Sequence, residues 1–292
     1  MHAILGAGGV GGFVGAVLAG GGEEVLLLLR PESLAAHPDA LTLESPLGRL
    51  AVPIEKAATL DREVEVLWVT TKATQLDAAL ALVPNPALAR TVVPLLNGVD
   101  HVARLRSRFG AEAVVPGTIA AELERGSPGH ILHRSAFARF GFAAAGESRL
   151  ARAVECLTRF GCPCRFEAGE LTLLWQKLVM LAPTALNTTA AGRSVGELWE
   201  DPVWGQRFEA AAHEACAVAL ALGARVDAEA TVRTLRGFPG GLRSSMQKDV
   251  AAGRPPELDA IAGPILRGGA ALRIPVPVTA ELAALVARRS AA

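Results

Sequence analysis

The stretch HAILGAGGVGGFVGAVLAGGGEEVLLLLR, residues 2–30, restricts the fold more than any other part of the chain. An apolar run leads directly into Gly6, Gly8 and Gly11 in the spacing G-x-G-x-x-G, then into a small-residue apolar segment and a second apolar run ending at Arg30. This order predicts strand, tight turn, helix and strand, the opening βαβ unit of a dinucleotide-binding domain. The first glycine serves the turn, the second a close approach of backbone to a pyrophosphate, the third the packing of helix on strand. Gly6, Ala7, Gly8, Gly9, Val10 and Gly11 are therefore the expected cofactor turn, backed by the N–H groups and positive dipole of a helix N-terminus. In a chain with 30 glycines the alternative is an ordinary glycine-rich loop, and the place between strand and helix argues against it.

Arg30 closes the second strand, where an NAD site usually carries an acid for the ribose hydroxyls. Arginine suits a 2′-phosphate, so NADPH is the expected cofactor; Glu32, two residues on, keeps NADH in play. ALTLES and GRLAVPI alternate around SPLG and read as a hairpin inserted after the second strand. VEVLWVTTK and TVVPLLNG are near-continuous apolar runs of the kind buried in parallel sheets. They end at Thr70, Thr71 and Lys72, and at Asn97 and Gly98. EAVVPGT reads as a further strand, and HILHRSAFARFGF as an antiparallel one closing the sheet. Arg30, Lys72 and Asn97 thus fall at the carboxyl ends of successive strands, the rim on which open α/β sheets bind ligands. Loop polarity and Asn-Gly turn chemistry also account for such residues.

Beyond about residue 168 the texture changes. ELTLLWQKLVML, GQRFEAAAHEACAVALALG, DAEATVRTLRGF, ELDAIAGPILRGGAALR and VTAELAALVARR are periodic apolar helices, and strand signals stop. The expected fold is α/β: a Rossmann-type dinucleotide-binding domain over residues 1–168, then an all-helical substrate and catalytic domain over 169–292. A substrate would be expected in a cleft between such domains. AAAHEACAVALALG fits a domain core and a homodimer face equally well.

In LLWQKLVMLAPTALN, residues 173–187, Lys177 has Leu173, Leu174, Met180 and Leu181 as helix-face neighbours. A solvated lysine usually shares its face with polar residues. Two readings are open: a snorkelling side chain with a packed stem, and a desolvated ammonium acting as a proton donor. Only four of the 29 basic residues are lysines (Lys56, Lys72, Lys177 and Lys248), and an ammonium can release a proton where a guanidinium cannot. The chain has no tyrosine, which excludes a Tyr–Lys pair as the acid. Pro183 is expected to kink or break the helix. In SSMQKDV, Ser244 and Gln247 form a capping box, and Ser245 falls in the first turn beside N–H groups suited to a substrate carboxylate. In GRPPELDAIAG, Glu257 either complements a helix dipole, worth about 0.3–1 kcal/mol, or accepts a substrate hydroxyl.

Balanced charge, with 29 basic and 29 acidic residues, leaves no electrostatic footprint for nucleic acid. No uncharged apolar run reaches membrane-spanning length, and MHAILGAGG carries no basic leader, so a cytoplasmic protein is expected. Cys156, Cys162, Cys164 and Cys216 contain no C-x-x-C pair, and no metal site is expected.

The ordered set LGAGGVG, LLLR, TTKATQ, NG, WQKL and SSMQKDVAAGRPPELDAIAG…IPVP resembles ketopantoate reductase over essentially the whole chain. The resemblance implies NADPH-dependent reduction of 2-dehydropantoate (ketopantoate) to (R)-pantoate in pantothenate and coenzyme A synthesis. It implies that Lys177 is the catalytic lysine and that Asn97 helps hold cofactor and substrate. Arg30 and Lys72 would lie near the 2′-phosphate and the cofactor; Ser245 and Glu257 would bind the substrate's carboxylate and hydroxyl. The family usually has asparagines four and eight residues after the lysine, where this chain has Leu181 and Ala185; Asn187 lies ten residues on. Either Asn187 takes over substrate binding beyond Pro183, or the substrate is another 2-oxo acid or related carbonyl. A cofactor-binding regulator without turnover is the non-enzyme alternative, and the joint presence of Lys177, Asn97 and Glu257 argues against it.

Overall fold

The apolar runs of the first half pair side by side. In the computed structural model, which describes residues 1–291, His2–Leu5 is the middle strand of a five-stranded parallel sheet. The order is Glu55–Ala57, Val25–Leu28, His2–Leu5, Val64–Val69, Ala89–Pro94. Numbered along the chain this is 3-2-1-4-5, the doubly wound dinucleotide-binding arrangement. Apart from Glu65, the three central strands are buried throughout, which is why they read as near-continuous apolar runs rather than alternating ones. Trp68 sits in that core: its indole N–H donates to His2 Nδ1 at 3.3 Å, and its ring meets Phe142 edge-on at 6.1 Å.

Two smaller sheets complete this unit. The hairpin Ala40–Ser45 and Gly48–Pro53 forms as expected, and His130–His133 and Leu123–Ser127 extend it to four strands. Gly117–Ala120, Arg139–Ala143 and Cys164–Glu167 make a three-stranded sheet. HILHRSAFARFGF is therefore not one antiparallel strand closing the parallel sheet; it breaks into strands of two other sheets. The break is a turn built by Ser135, whose hydroxyl accepts the Glu122 N–H at 2.9 Å and donates to Phe137 O at 2.7 Å. EAVVPGT also divides. Ala113 and Val115 exchange backbone bonds with Val92 at 2.8 and 2.9 Å; Pro116, which has no N–H, comes next, and Gly117 opens the separate sheet.

Contacts within the chain define two units: Met1–Leu96 with His101–Leu173, and Asn97–Asp100 with the chain from Leu174 onward. Sequence position put residues 97–100 in the first domain; the structure puts them in the second unit instead. Gly98 explains part of this. With φ +83, it lies where an added methyl would stand 2.3 Å from Ala260 O, so only glycine admits the approach. Arg267 adds an ion pair to Asp100 at 2.5 Å and one to Asp259 at 2.6 Å.

The second unit is helical. Trp175, Leu178, Ala182 and Leu186 of Glu170–Ala191 pack with Ala215 and Ala219 of Pro202–Ala221, Ile261 and Ile265 of Leu258–Leu272, and Leu282 and Val286 of Pro277–Ala291. Pro183 does not break its helix, which continues to Ala191. Proline removes the bond to Val179 O, but side chains brace the turns around it. Thr184 Oγ1 donates to Met180 O at 2.8 Å, Asn187 Nδ2 to Pro183 O at 2.9 Å, and Thr188 Oγ1 to Thr184 O at 2.7 Å.

Glu214 supplies a cap from another helix. Its carboxylate accepts the N–H groups of Val278 at 2.8 Å and Thr279 at 2.7 Å, in the first turn of Pro277–Ala291. Glu214→Ala leaves both donors without that acceptor and should cost about 1–2 kcal/mol, the usual worth of a lost helix cap. A denaturant titration should show a lower midpoint with an unchanged slope; an unchanged midpoint would mean that water serves these donors as well.

Candidate active site

The glycine turn joins His2–Leu5 to the helix Gly9–Gly20. Gly6 adopts φ +108, and a methyl there would stand 2.8 Å from Thr71 Cγ2. Gly11 leaves space for two oxygens, since its Cβ would fall 2.1 Å from Gly6 O and 2.4 Å from Thr70 Oγ1. Gly8 differs: an added methyl would meet nothing within 4 Å. The protein's own packing thus gives no reason for glycine at Gly8, and open space beside the turn is what a bound pyrophosphate needs. The first bond of the helix is Gly12 N–H to Gly8 O at 2.8 Å, so the N–H groups of Gly9, Val10 and Gly11 precede it at the positive end of the dipole. Ala7 and Val10 are half-buried and pack on the core. On these observations the turn fits a dinucleotide.

Arg30 stands exposed just beyond Val25–Leu28, its Nε 3.4 Å from Glu32 Oε1. Lys72 is half-buried at the entrance to the short turn Ala73–Gln75. Sequence reasoning placed Thr70 at a strand end of the ligand-binding rim without a role of its own; its hydroxyl donates to Gly6 O at 2.8 Å and Leu5 O at 3.1 Å, tying the strand end to the cofactor turn. A hydroxyl residue at a strand end opposite G-x-G-x-x-G was the available signal.

The second unit brings three of the expected residues together. Lys177 is half-buried on its helix, flanked by Leu173, Leu174, Met180 and Leu181 as the spacing predicted. Burial lowers its ammonium to a pKa of about 8, and the carboxylate of Glu257 opposes the fall. Glu257 is itself buried, immediately before Leu258–Leu272, and Asn97 Nδ2 donates to its Oε2 at 3.1 Å. Asn97 thus holds the carboxylate that supports the lysine. In this arrangement the ammonium stays charged at neutral pH but gives up its proton readily, a combination suited to a proton donor.

Two further expected residues belong to the same unit. Asn187 is fully buried with its amide N–H turned onto its own helix, and its Oδ1 has no partner. Ser245 is exposed in the first turn of Ser245–Ala251. Ser244 caps that helix through the Gln247 N–H and also meets Thr188 Oγ1 at 2.8 Å. A cavity of about 630 Å³ opens in the same unit, lined among others by Gln176, Met180, Leu220 and Val226 but by none of Lys177, Asn97 and Glu257. The four cysteines are free, and burial pushes Cys162 up to about 12 and Cys164 to about 11, which keeps those two thiols protonated and unreactive. Among the described residues no group of His, Cys, Asp and Glu could hold a metal ion, and no helix is long and apolar enough to cross a membrane.

A glycine turn closing the first strand of a parallel sheet, with a helical unit carrying a depressed lysine, defines the class of pyridine-nucleotide-dependent oxidoreductases. Comparison with known proteins gives the family. The pattern for ketopantoate reductase PanE/ApbA matches residues 2–145, and that for its C-terminal part matches residues 171–290. A 2-dehydropantoate 2-reductase from Caulobacter vibrioides is 30% identical over 294 residues, covering 97% of both chains. One from Mycobacterium tuberculosis is 30% identical over 301 residues, covering 99% of this chain and 97% of the other. The crystal structure of a PanE/ApbA family ketopantoate reductase from Ralstonia eutropha superposes with a TM-score of 0.87 at 27% identity, covering 99% of this chain and 98% of that one. A D-mandelate dehydrogenase solved with NADH and anilino(oxo)acetate gives 0.87 at 20% identity, a likeness of fold. This chain belongs to the ketopantoate reductase family and is an oxidoreductase of that type.

Competitive acylation followed by peptide mass analysis should report an apparent pKa of about 8 for Lys177. Because the Glu257 carboxylate favours the charged form, Glu257→Gln should lower that value further. An unchanged value in the variant would mean that the two groups do not interact.

Proposed function

We propose that this chain reduces 2-dehydropantoate to (R)-pantoate with NADPH, serving pantothenate and coenzyme A synthesis in the cytoplasm. The observation that carries the reading is the group Lys177, Glu257 and Asn97: an ammonium near its titration point, a carboxylate beside it, and an amide fixing that carboxylate. The 30%-identical 2-dehydropantoate 2-reductases support the same substrate.

Bound NADPH supplies a hydride. The turn from Gly6 to Gly11 holds the pyrophosphate, Arg30 takes the 2′-phosphate, and Lys72 lies by the cofactor at the end of Val64–Val69. Lys177 donates its proton to the carbonyl oxygen as negative charge grows there, is left as a neutral amine, and regains a proton from solvent. Its charge before transfer stabilises the developing alkoxide. Glu257 accepts the substrate hydroxyl while keeping the lysine protonated near neutrality, Asn97 orients both, and Ser245 offers its hydroxyl to the carboxylate. We assign a homodimer as the assembly; a ketopantoate reductase from Staphylococcus aureus with this fold, 16% identical, is described as dimeric.

A second reading has its own support. Leu181 and Ala185 stand where the family usually has asparagines, and Met180 and Leu181 beside Lys177 are only half-buried. That leaves apolar surface next to the acid and favours a 2-oxo acid with an apolar substituent.

NADPH oxidation with ketopantoate, beside 2-oxo acids carrying aliphatic and aromatic side chains, separates the two readings. Selective turnover of ketopantoate supports the first, and preference for an apolar substrate the second; tight NADPH binding without turnover of any would sink both. With the preferred substrate, kcat/KM should fall as pH rises past about 8, because the free enzyme then loses its acidic proton. Lys177→Ala should cost at least about 100-fold in kcat while NADPH binding persists. Arg30→Ala should weaken NADPH at least about tenfold and leave NADH nearly unchanged, the loss expected for a charge-assisted contact to the 2′-phosphate. Equal losses for both nucleotides would remove Arg30 from that role.

A further inference from the structure

Two consecutive threonines follow the strand Val64–Val69, and the structure treats their hydroxyls differently. Thr70 spends its hydroxyl inside the protein, on Gly6 O at 2.8 Å and Leu5 O at 3.1 Å. Gly6 O also accepts the Gly8 N–H at 2.8 Å, so this carbonyl takes two donors and the turn is held from both sides. Thr71 abuts the same turn. Its Cγ2 and backbone N each lie 2.8 Å from where a Gly6 side chain would begin. Its Oγ1, however, is shielded from solvent and has no hydrogen-bond partner.

A shielded hydroxyl without a partner is disfavoured, and few survive in folded proteins without a reason. Packing does not supply one, because valine fills the same volume without the polar atom. The remaining reason is a partner that arrives from outside. The surroundings say which kind: Thr71 lies just past the carboxyl end of a parallel strand, its methyl and backbone N against the turn that leads into the free N–H groups of Gly9, Val10 and Gly11. An acceptor oxygen of a dinucleotide, on its pyrophosphate or an adjoining ribose, is the chemistry that this position meets.

We infer that Thr71 is a cofactor-binding residue whose hydroxyl turns about χ1 from its shielded position to bond directly to the bound dinucleotide. This rests on the dinucleotide reading of the glycine turn. Thr70 and Thr71 then divide the work: the first latches the turn in the free protein, and the second remains unsatisfied until the cofactor enters.

The division predicts effects of opposite sign on stability and affinity. Thr71→Val removes an unsatisfied polar atom, so the melting temperature of the cofactor-free protein should stay unchanged or rise. The dissociation constant for NADPH, from titration of nicotinamide fluorescence, should rise about tenfold, the scale of a hydrogen bond to a charged group. Thr71→Ser should restore most of the affinity. A dissociation constant within twofold of the wild type for Thr71→Val would overturn the assignment. So would weaker binding that comes with a lower melting temperature and is not restored by serine, since the hydroxyl would then be shaping the turn rather than touching the cofactor. Failure of the wild-type chain to bind NADPH or NADH would overturn the cofactor reading of the whole turn, a result distinct from either.

Discussion

A charge taken partly out of water needs a counter-charge, and the helical unit is organised around meeting that need at Lys177. Burial alone would lower the lysine's pKa further and weaken its hold on the proton it must deliver; a fully solvated lysine would hold that proton more firmly. Glu257 sets the compromise at about 8. A buried carboxylate carries the same solvation problem, and Asn97 answers it with a hydrogen bond of 3.1 Å. The chain of dependence runs from an amide to a carboxylate to an ammonium. Each member is held by the one before, so the acid's strength is a property of all three.

The dinucleotide-binding unit solves a different problem, that of keeping a turn open. A loop approaching a pyrophosphate cannot fill its own space with side chains, and without them it lacks the packing that would hold its shape. Thr70 supplies the missing restraint from the neighbouring strand, and Gly11 is small enough to let that hydroxyl and Gly6 O share one spot. The space beside Gly8 is left clear. Rigidity and vacancy are thus provided by different residues, which lets the turn be well defined before anything binds.

Legibility in the sequence followed the range of the interaction. The parallel strands, the glycine turn and the helical second half are written in local pattern: apolar runs, small-residue spacing and helical period. They could be read without knowing what packs on what. HILHRSAFARFGF misled because a hydroxyl-built turn at Ser135 redirects an apparently continuous strand, and nothing in its alternation marks the change of sheet. Of the kink or break expected at Pro183, the break does not occur. The proline's local penalty is real, but Thr184, Asn187 and Thr188 brace the adjoining turns through bonds that a proline rule does not include. Lys177 was conspicuous by its oily neighbours. The bond between Asn97 and Glu257 joins residues 160 positions apart, a pairing that only the folded chain makes evident.

The four residues Asn97–Asp100 also bear on how such a protein can change over generations. The chain leaves its first unit at residue 96, contributes one short segment to the second, and returns before crossing again after residue 173. The second unit is consequently not a contiguous cassette. A recombination event that transferred only the later crossing's downstream gene segment onto another dinucleotide-binding domain would carry Lys177 and Glu257 but leave their asparagine behind. The recipient would have to offer its own amide at the matching strand end, or the carboxylate would arrive unheld. Inheritance of the two halves as one piece, rather than as exchangeable parts, is the arrangement this wiring favours.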